Sequence, residues 1–343
     1  MLKKILVALI AFVITIVLAG IVLELFKTDK QQQARYMRTR NVFQYQPGNV
    51  VFDPVLGYMT SPNLNVNFNN KEFNTNIRTN ELGLRDDHAS IKEAQTIFLG
   101  DSYVWGWGVD EQLNIEKQYE NITGKKVLNA GVPGYGNVQE ILLLHKLQRF
   151  IPLQGKQIFL FFCANDFIDN QNTSFNAFPY FTKSGDALKV SEPSIGGFNE
   201  WLDAANSWTI HSNFAQHSIL WYDVCAGIKN ISTKDLYRDH ETTKDRLNGI
   251  QAFLMAADDL FSLQQVYACS ISIVYIPPAG YYQTKQFDRS YPIVKDACHR
   301  LNLPFIDLSP VLSAEDYYPL DLHWKASGHQ KAAAFLASVV SIK

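Results

Sequence analysis

The chain has 343 residues, 47% of them hydrophobic, enough for one large domain or two modest ones around a substantial core. A formal net charge of −2 excludes the basic footprint that nucleic-acid binding needs. The four cysteines, Cys163, Cys225, Cys269 and Cys298, form no CxxC pair and no zinc-ligand spacing, so no metal site is expected, while a disulfide and the redox compartment stay open.

In chain order, the first feature is an apolar stretch of 19 residues from Ile5 to Leu23, long enough to span a bilayer. Lys3 and Lys4 precede it and no A-x-A-like cleavage site closes it, so residues 1–26 read as an uncleaved transmembrane signal anchor, with a cleaved signal peptide as the alternative. Lys27, Lys30, Arg35, Arg38 and Arg40 follow the stretch, and a strict positive-inside count would keep the large domain in the cytoplasm. A short basic tail ahead of a long domain is the secretory arrangement, and long domains cross largely regardless of charge. The expected location is therefore extracytoplasmic, with the membrane as a partner through this helix.

Residues 27–50 are polar and read as a stalk; with 51–94, rich in Asn, Pro and Gly, they make a segment of short strands and loops. Within it Leu64-Asn65-Val66-Asn67-Phe68 alternates as an edge strand does. Over 95–343 strand and helix patterns alternate. The strand runs are Thr96–Leu99, Lys126–Leu128, Gln157–Phe162, Ser270–Ile276 and Pro304–Ile306. The helical stretches are 111–120, 138–150, 244–264, 290–301 and 326–341, the last with Ala332, Phe335, Leu336, Val339 and Val340 on one face. That alternation predicts a parallel sheet covered on both faces. An insertion at 167–243, rich in Phe, Tyr and Trp, reads either as a lid or as a helical cap on the core.

The chemistry-bearing segments lie at the rim of this sheet. Gly100-Asp101-Ser102 follows the first strand, where a tight turn lifts a hydroxyl to the carboxyl end of a parallel sheet. Serine needs a base to become a nucleophile. His323, just before the last helix, is the candidate base, and Asp321 can orient it through Nδ1. The backbone N–H groups of Ser102 and Gly134 and the side-chain amide of Asn165 are candidate oxyanion donors. Blander readings stand beside each: His323 as a helix cap, Gly134 as a plain turn after Pro133, Asn165 as an Asx turn. A metal reading of Asp321, His323 and His329 lacks a third well-placed ligand.

The order Gly100-Asp101-Ser102, Gly131-Val132-Pro133-Gly134, Asn165-Asp166 and Asp321-Leu322-His323 resembles the blocks of the SGNH, or GDSL-type, hydrolases, and the resemblance covers residues 95–343. It implies a flavodoxin-like three-layer α/β/α sheet, here with an N-terminal transmembrane helix and a lid-like insertion. It implies ester or acyl-transfer chemistry, with Ser102 as nucleophile, His323 as base, Asp321 as orienter, and Ser102, Gly134 and Asn165 as the oxyanion hole, without a cofactor. Tyr103 stands where the family name has leucine, Cys163 stands where a glycine is common, and the Asp lies two rather than three residues before the His. The two-residue form followed by Trp324 is similar to the membrane-anchored, polysaccharide-acetylating branch. Asn80-Glu81-Leu82-Gly83-Leu84-Arg85 also looks like a stretch of such anchored members, with Arg85 either a substrate-binding residue or a surface charge. The implied function is an esterase acting on an acylated carbohydrate or lipid. The alternatives are an O-acyltransferase of an exported polysaccharide and a dormant carbohydrate-binding assembly protein.

Overall fold

A computed structural model describes residues 2–171, 174–184, 187–206 and 248–341 of the protein. Helix α1 (Leu2–Leu25) carries the apolar stretch, its mean hydropathy reaches 3.2, and none of that window is buried. It is long and apolar enough to cross a membrane. Helix α2 (Asp29–Thr39) follows at once. Thr28 starts it with a reciprocal cap: its hydroxyl accepts from the Gln31 N–H while the Gln31 side chain accepts from the Thr28 N–H. The stalk expected over 27–50 is thus replaced by a helix, with Tyr36 buried, and a following 3-10 turn, Phe43–Tyr45, with Phe43 buried.

Two antiparallel hairpins come next, β1 (Val50–Asp53) with β2 (Gly57–Thr60) and β3 (Asn65–Asn69) with β4 (Asn74–Arg78). The alternation over 64–68 is strand β3, and the register pairs Val66 with Ile77 and Phe68 with Thr75. Phe68, Phe73 and Ile77 close over Phe43, Trp105 and Trp107 as a separate small core.

The main domain follows as α3 (His88–Glu93), β5 (Thr96–Gly100), α4 (Ser102–Trp105), α5 (Ile115–Thr123), β6 (Val127–Gly131), α6 (Asn137–Leu147) and β7 (Gln157–Phe162). After β7 come α7 (Asp166–Asp169), the hairpin β8 (Phe181–Ser184) and β9 (Ala187–Val190), and α8 (Ile195–Ala205). Then come α9 (Gly249–Tyr267), β10 (Ser270–Tyr275), α10 (Tyr281–Thr284), α11 (Ser290–Arg300), β11 (Phe305–Asp307) and α12 (Ala326–Ser341). Five strands pair in parallel in the order β11-β10-β7-β5-β6. The chain runs outward from β5 to β6, then returns across β5 and builds the other half. The reversal falls between β5 and β7, where open α/β sheets form their ligand crevice.

Side-chain alternation creates the layers. Ile97, Leu99, Ile158 and Leu160 join α6, α9 and α11 in one core, while Phe98, Phe159 and Phe161 join α5 and α12 in the other. The fold is therefore the expected three-layer α/β/α sheet. Strand β7, central and apolar on both faces, matches its sequence run end to end. Helix α5 starts later than expected because Asn114 caps it and also donates to the Val104 and Trp105 carbonyls.

The described part of the insertion is fixed to the core. Phe178, Phe198 and Trp201 are buried, and Trp201 stacks on Tyr58 of β2 at 5.1 Å. Trp208, Trp221, Tyr222 and Cys225 lie outside the described residues. Among the described residues Cys163, Cys269 and Cys298 are free thiols.

Candidate active site

Ser102 is the first residue of α4, directly beyond β5. The turn is tight because α4 lies on β6: a Cβ on Gly131 would sit 2.3 Å from the Trp105 nitrogen. Asp101 fixes this turn, one carboxylate oxygen accepting from the Tyr103 N–H at 2.9 Å. Ser102 Oγ lies 2.7 Å from His323 Nε2, and His323 Nδ1 lies 2.5 Å from Asp321 Oδ1. The three residues named from sequence thus meet as a hydrogen-bonded chain.

Two residues of separation bring Asp321 and His323 together because the residue between them turns left-handed. Leu322 has φ +67°, a conformation that costs an L-residue roughly 1–2 kcal/mol. Three hydrogen bonds hold it there. Leu322 N–H donates to the Tyr318 carbonyl at 2.9 Å, Tyr318 N–H donates to the His323 carbonyl at 2.8 Å, and the Tyr103 hydroxyl donates to the Leu322 carbonyl at 2.9 Å. Trp107 stacks on the His323 ring at 5.2 Å, and Tyr103 approaches it at 5.0 Å.

Asp321 is 1% exposed. Burial alone would raise its carboxyl, but the His323 charge and hydrogen bond, with those of Arg40, outweigh it and hold the group well below the usual carboxylate range. Its second oxygen accepts from Tyr36 Oη at 2.8 Å and faces Arg40 Nη1 at 2.8 Å. Glu72 secures the backbone, accepting from the Asp321 N–H at 2.7 Å. His329, weighed as a metal ligand, is instead a core residue against Trp324; burial, then the charges of Arg85 and His323, lowers it to about 3.

The candidate oxyanion donors surround the same rim. Val132 N–H donates to the Gly100 carbonyl at 3.0 Å, which ties the 131–134 turn to the Ser102 turn. Gly134 has φ +82°, and Tyr58 clasps its turn by donating to the Pro133 carbonyl at 2.5 Å. Among the described residues the N–H groups of Ser102 and Gly134 have no protein acceptor. Asn165 Nδ2 reaches Asp169 at 2.8 Å and Asp101 at 3.3 Å, so its amide is held beside the turn by carboxylates.

Arg85 does not belong to this group. It is 1% exposed, stacks on Trp105 at 5.0 Å, and donates to the carbonyls of Trp105, Gly106 and Val109 at 3.0, 2.5 and 2.6 Å. It braces the loop after α4 from beneath and is closed to substrate, correcting both sequence readings. Burial lowers its guanidinium to about 10, still charged at neutral pH.

Sequence reasoning missed Tyr36, Arg40, Glu72 and Trp107. The Thr28–Gln31 capping pattern would have revealed helix α2, but not where it docks. It also missed a buried acidic layer beneath the site. Asp101, Cys163 and Asp166 bring ligand-type atoms within 4.8 Å of one another, a set that in principle could hold a metal. They are joined here as a hydrogen-bonded cluster, with the Cys163 thiol 3.1 Å from Asp101 and the Asn137 amide donating to both Asp166 and Glu140. Burial, reinforced by neighbouring carboxylates, pushes Asp166, Glu140 and Cys163 well up, which favours their protonated donor forms over ligand forms.

No family model matches the chain, and no curated protein matches it. Solved structures do. They include the inhibitor-bound aryl esterase of M. smegmatis, with 10% identity, 73% of this chain and 99% of that one covered, and a TM-score of 0.35. A carbohydrate acetylesterase family member from Sinorhizobium meliloti shows 11% identity, 73% and 98% coverage, and a TM-score of 0.35. A carbohydrate esterase family 2 enzyme with a carbohydrate-binding domain, from Corynascus thermopiles, shows 12% identity, 73% and 66% coverage, and a TM-score of 0.39. At such TM-scores the functional reading rests on the geometry alone.

Asp169 generates a pH prediction. Burial raises its carboxyl to about 7, against the Asn165 hydrogen bond and with the Asp101 charge. Between the ordinary carboxylate range and pH 7 the folded protein keeps a proton the unfolded chain has lost, so this group's contribution to stability falls as pH rises through that window. Thermal melts of Asp169→Asn at pH 8 are expected to exceed wild type by about 2–4 °C, with the gap closing at pH 4. A gap that is equal at both values would contradict the titration.

Proposed function

We propose that the chain is a membrane-anchored serine ester hydrolase of the SGNH type, acting on an acyl ester of a carbohydrate or lipid. The observation that carries the reading is the continuous chain from Ser102 Oγ through the His323 imidazole to Asp321, at 2.7 and 2.5 Å. In this reading Oγ attacks the acyl carbonyl while its proton moves to His323 Nε2. The Nδ1–H donated to Asp321 fixes the tautomer and the ring. The new C–O bond leaves a tetrahedral oxyanion, which the Ser102 and Gly134 N–H groups receive. Asn165 joins them by turning one amide hydrogen away from its carboxylate partners. Collapse expels the alcohol, which takes the proton from Nε2. Water then repeats the sequence on the acyl-serine and releases the acid. A sugar hydroxyl in place of that water would give acyl transfer with the same residues.

The full chain in detergent is expected to hydrolyse p-nitrophenyl acetate. Ser102→Ala and His323→Ala are each expected to lower kcat by about 10³-fold or more, Ser102→Ala with unchanged melting and His323→Ala with some loss of stability because it removes a partner of buried Asp321. Hydrolysis at the wild-type rate in either variant would overturn the assignment.

The same proposal places α1 across the membrane and the catalytic domain on its outer face. Proteinase K added to spheroplasts is expected to degrade the domain without lysis. Protection until the membrane is ruptured would place the domain inside.

A further inference from the structure

We infer that helix α2, directly after the membrane helix, is a working part of the active site, with Tyr36 and Arg40 as positioning residues for Asp321. The inference deepens the hydrolase reading and rests on it for its catalytic meaning. The segment that reads from sequence as a stalk supplies two of the three groups bound to the triad carboxylate.

The distances define the arrangement. Asp321 Oδ1 is given to His323, and Oδ2 receives the Tyr36 hydroxyl and the Arg40 guanidinium, each at 2.8 Å. The carboxylate side chain is wholly buried and the Arg40 side chain 13% exposed, so solvent screens this pair little. Tyr36 is a permanent donor, because burial and the Asp321 charge push its phenol far above the ordinary range. Arg40 lies over Trp107 at 5.1 Å, and Trp107 stacks on His323 at 5.2 Å, so one indole is packed against both the guanidinium and the imidazole ring. The segment continues along the rim to Gln44, whose amide nitrogen would lie 3.1 Å from a Cβ on Gly134. At its other end α2 is tied to the anchor, for Arg35 donates to Glu24 of α1 at 2.8 and 3.0 Å.

The chemical consequence follows from sign. The fixed positive charge of Arg40, 2.8 Å from Asp321 Oδ2, offsets part of the carboxylate charge that faces the His323 ring. The other charged or titratable groups around the pair are Asp101, Ser102 and Tyr103 at the start of α4, Glu72 in the β3–β4 turn, Tyr318 beside the His323 backbone and His329 on α12. None of them is on α2, so removing Arg40 takes away a positive charge that they do not replace.

The test uses the full chain in detergent with aryl ester as substrate, and ¹³C-histidine NMR as a readout independent of turnover. In Arg40→Met the acid limb of kcat/KM is expected to move up by about one pH unit. That amounts to about a tenfold loss well below the limb, with a smaller change on the alkaline plateau. The His323 ring titration is expected to move the same way. Arg40→Lys is expected to restore the limb, and Tyr36→Phe to move it upward by less. A profile that keeps its shape and only scales down, or a ring titration unmoved in both Arg40→Met and Tyr36→Phe, would overturn the inference. Should Arg40→Met fail to fold, Tyr36→Phe, which removes one oxygen, carries the same comparison. If Ser102→Ala retains full activity, the hydrolase reading fails while the ring titration still decides whether α2 sets the charge at His323.

Discussion

A buried carboxylate at Asp321 organises this molecule. Taking its charge out of water is costly, and a removed partner leaves the charge uncompensated. The fold answers from several directions at once. The imidazole comes from the same loop, Tyr36 comes from α2 and Arg40 from the residue that caps it, and the Glu72 turn holds the backbone N–H. The partners arrive on three separate segments, so the loop before α12, the β3–β4 hairpin and the α2 segment all have to be in place before the ion is satisfied. The left-handed Leu322 is tolerable only inside that frame.

On the opposite side of Ser102 the site rests on a different kind of polar layer. Asp101, Cys163, Asp166 and Glu140 are buried together under the switch point between β5 and β7. Burial, reinforced by neighbouring carboxylates, favours protons on Cys163, Asp166 and Glu140, and the Cys163 thiol donates to Asp101 in the turn that carries Ser102. Asn165 links this layer to the surface through Asp101 and Asp169. The turn that carries Ser102 thereby lies between the Asp321 carboxylate, held well below the usual range by its partners, and the Asp166 and Glu140 carboxyls, which burial pushes well up. Environment, rather than residue type, separates the two roles.

Most of the sheet was legible because its strands are short continuous apolar runs, and Gln157–Phe162 even gave its true ends. The meeting of Ser102, Asp321 and His323 was legible because each stands in a short motif at a strand or helix boundary. Arg85 was misread for the opposite reason. An arginine is assumed exposed until its partners are known, and here they are backbone carbonyls of a loop twenty or more residues away. Tyr36 and Arg40 were invisible in function because their partner lies 285 residues from Tyr36 along the chain. Polar composition over 27–50 suggested a stalk, and only tertiary contact turns that polarity into site structure.

The central claim is that one hydroxyl, among all those in the chain, is activated by a neighbouring base. Labelling with a fluorophosphonate, followed by proteolysis and mass spectrometry, addresses it directly. The adduct is expected on the peptide containing Ser102 alone, and denaturation or His323→Ala before labelling is expected to abolish it. An adduct on another residue, or one on Ser102 that persists without His323, would contradict the account.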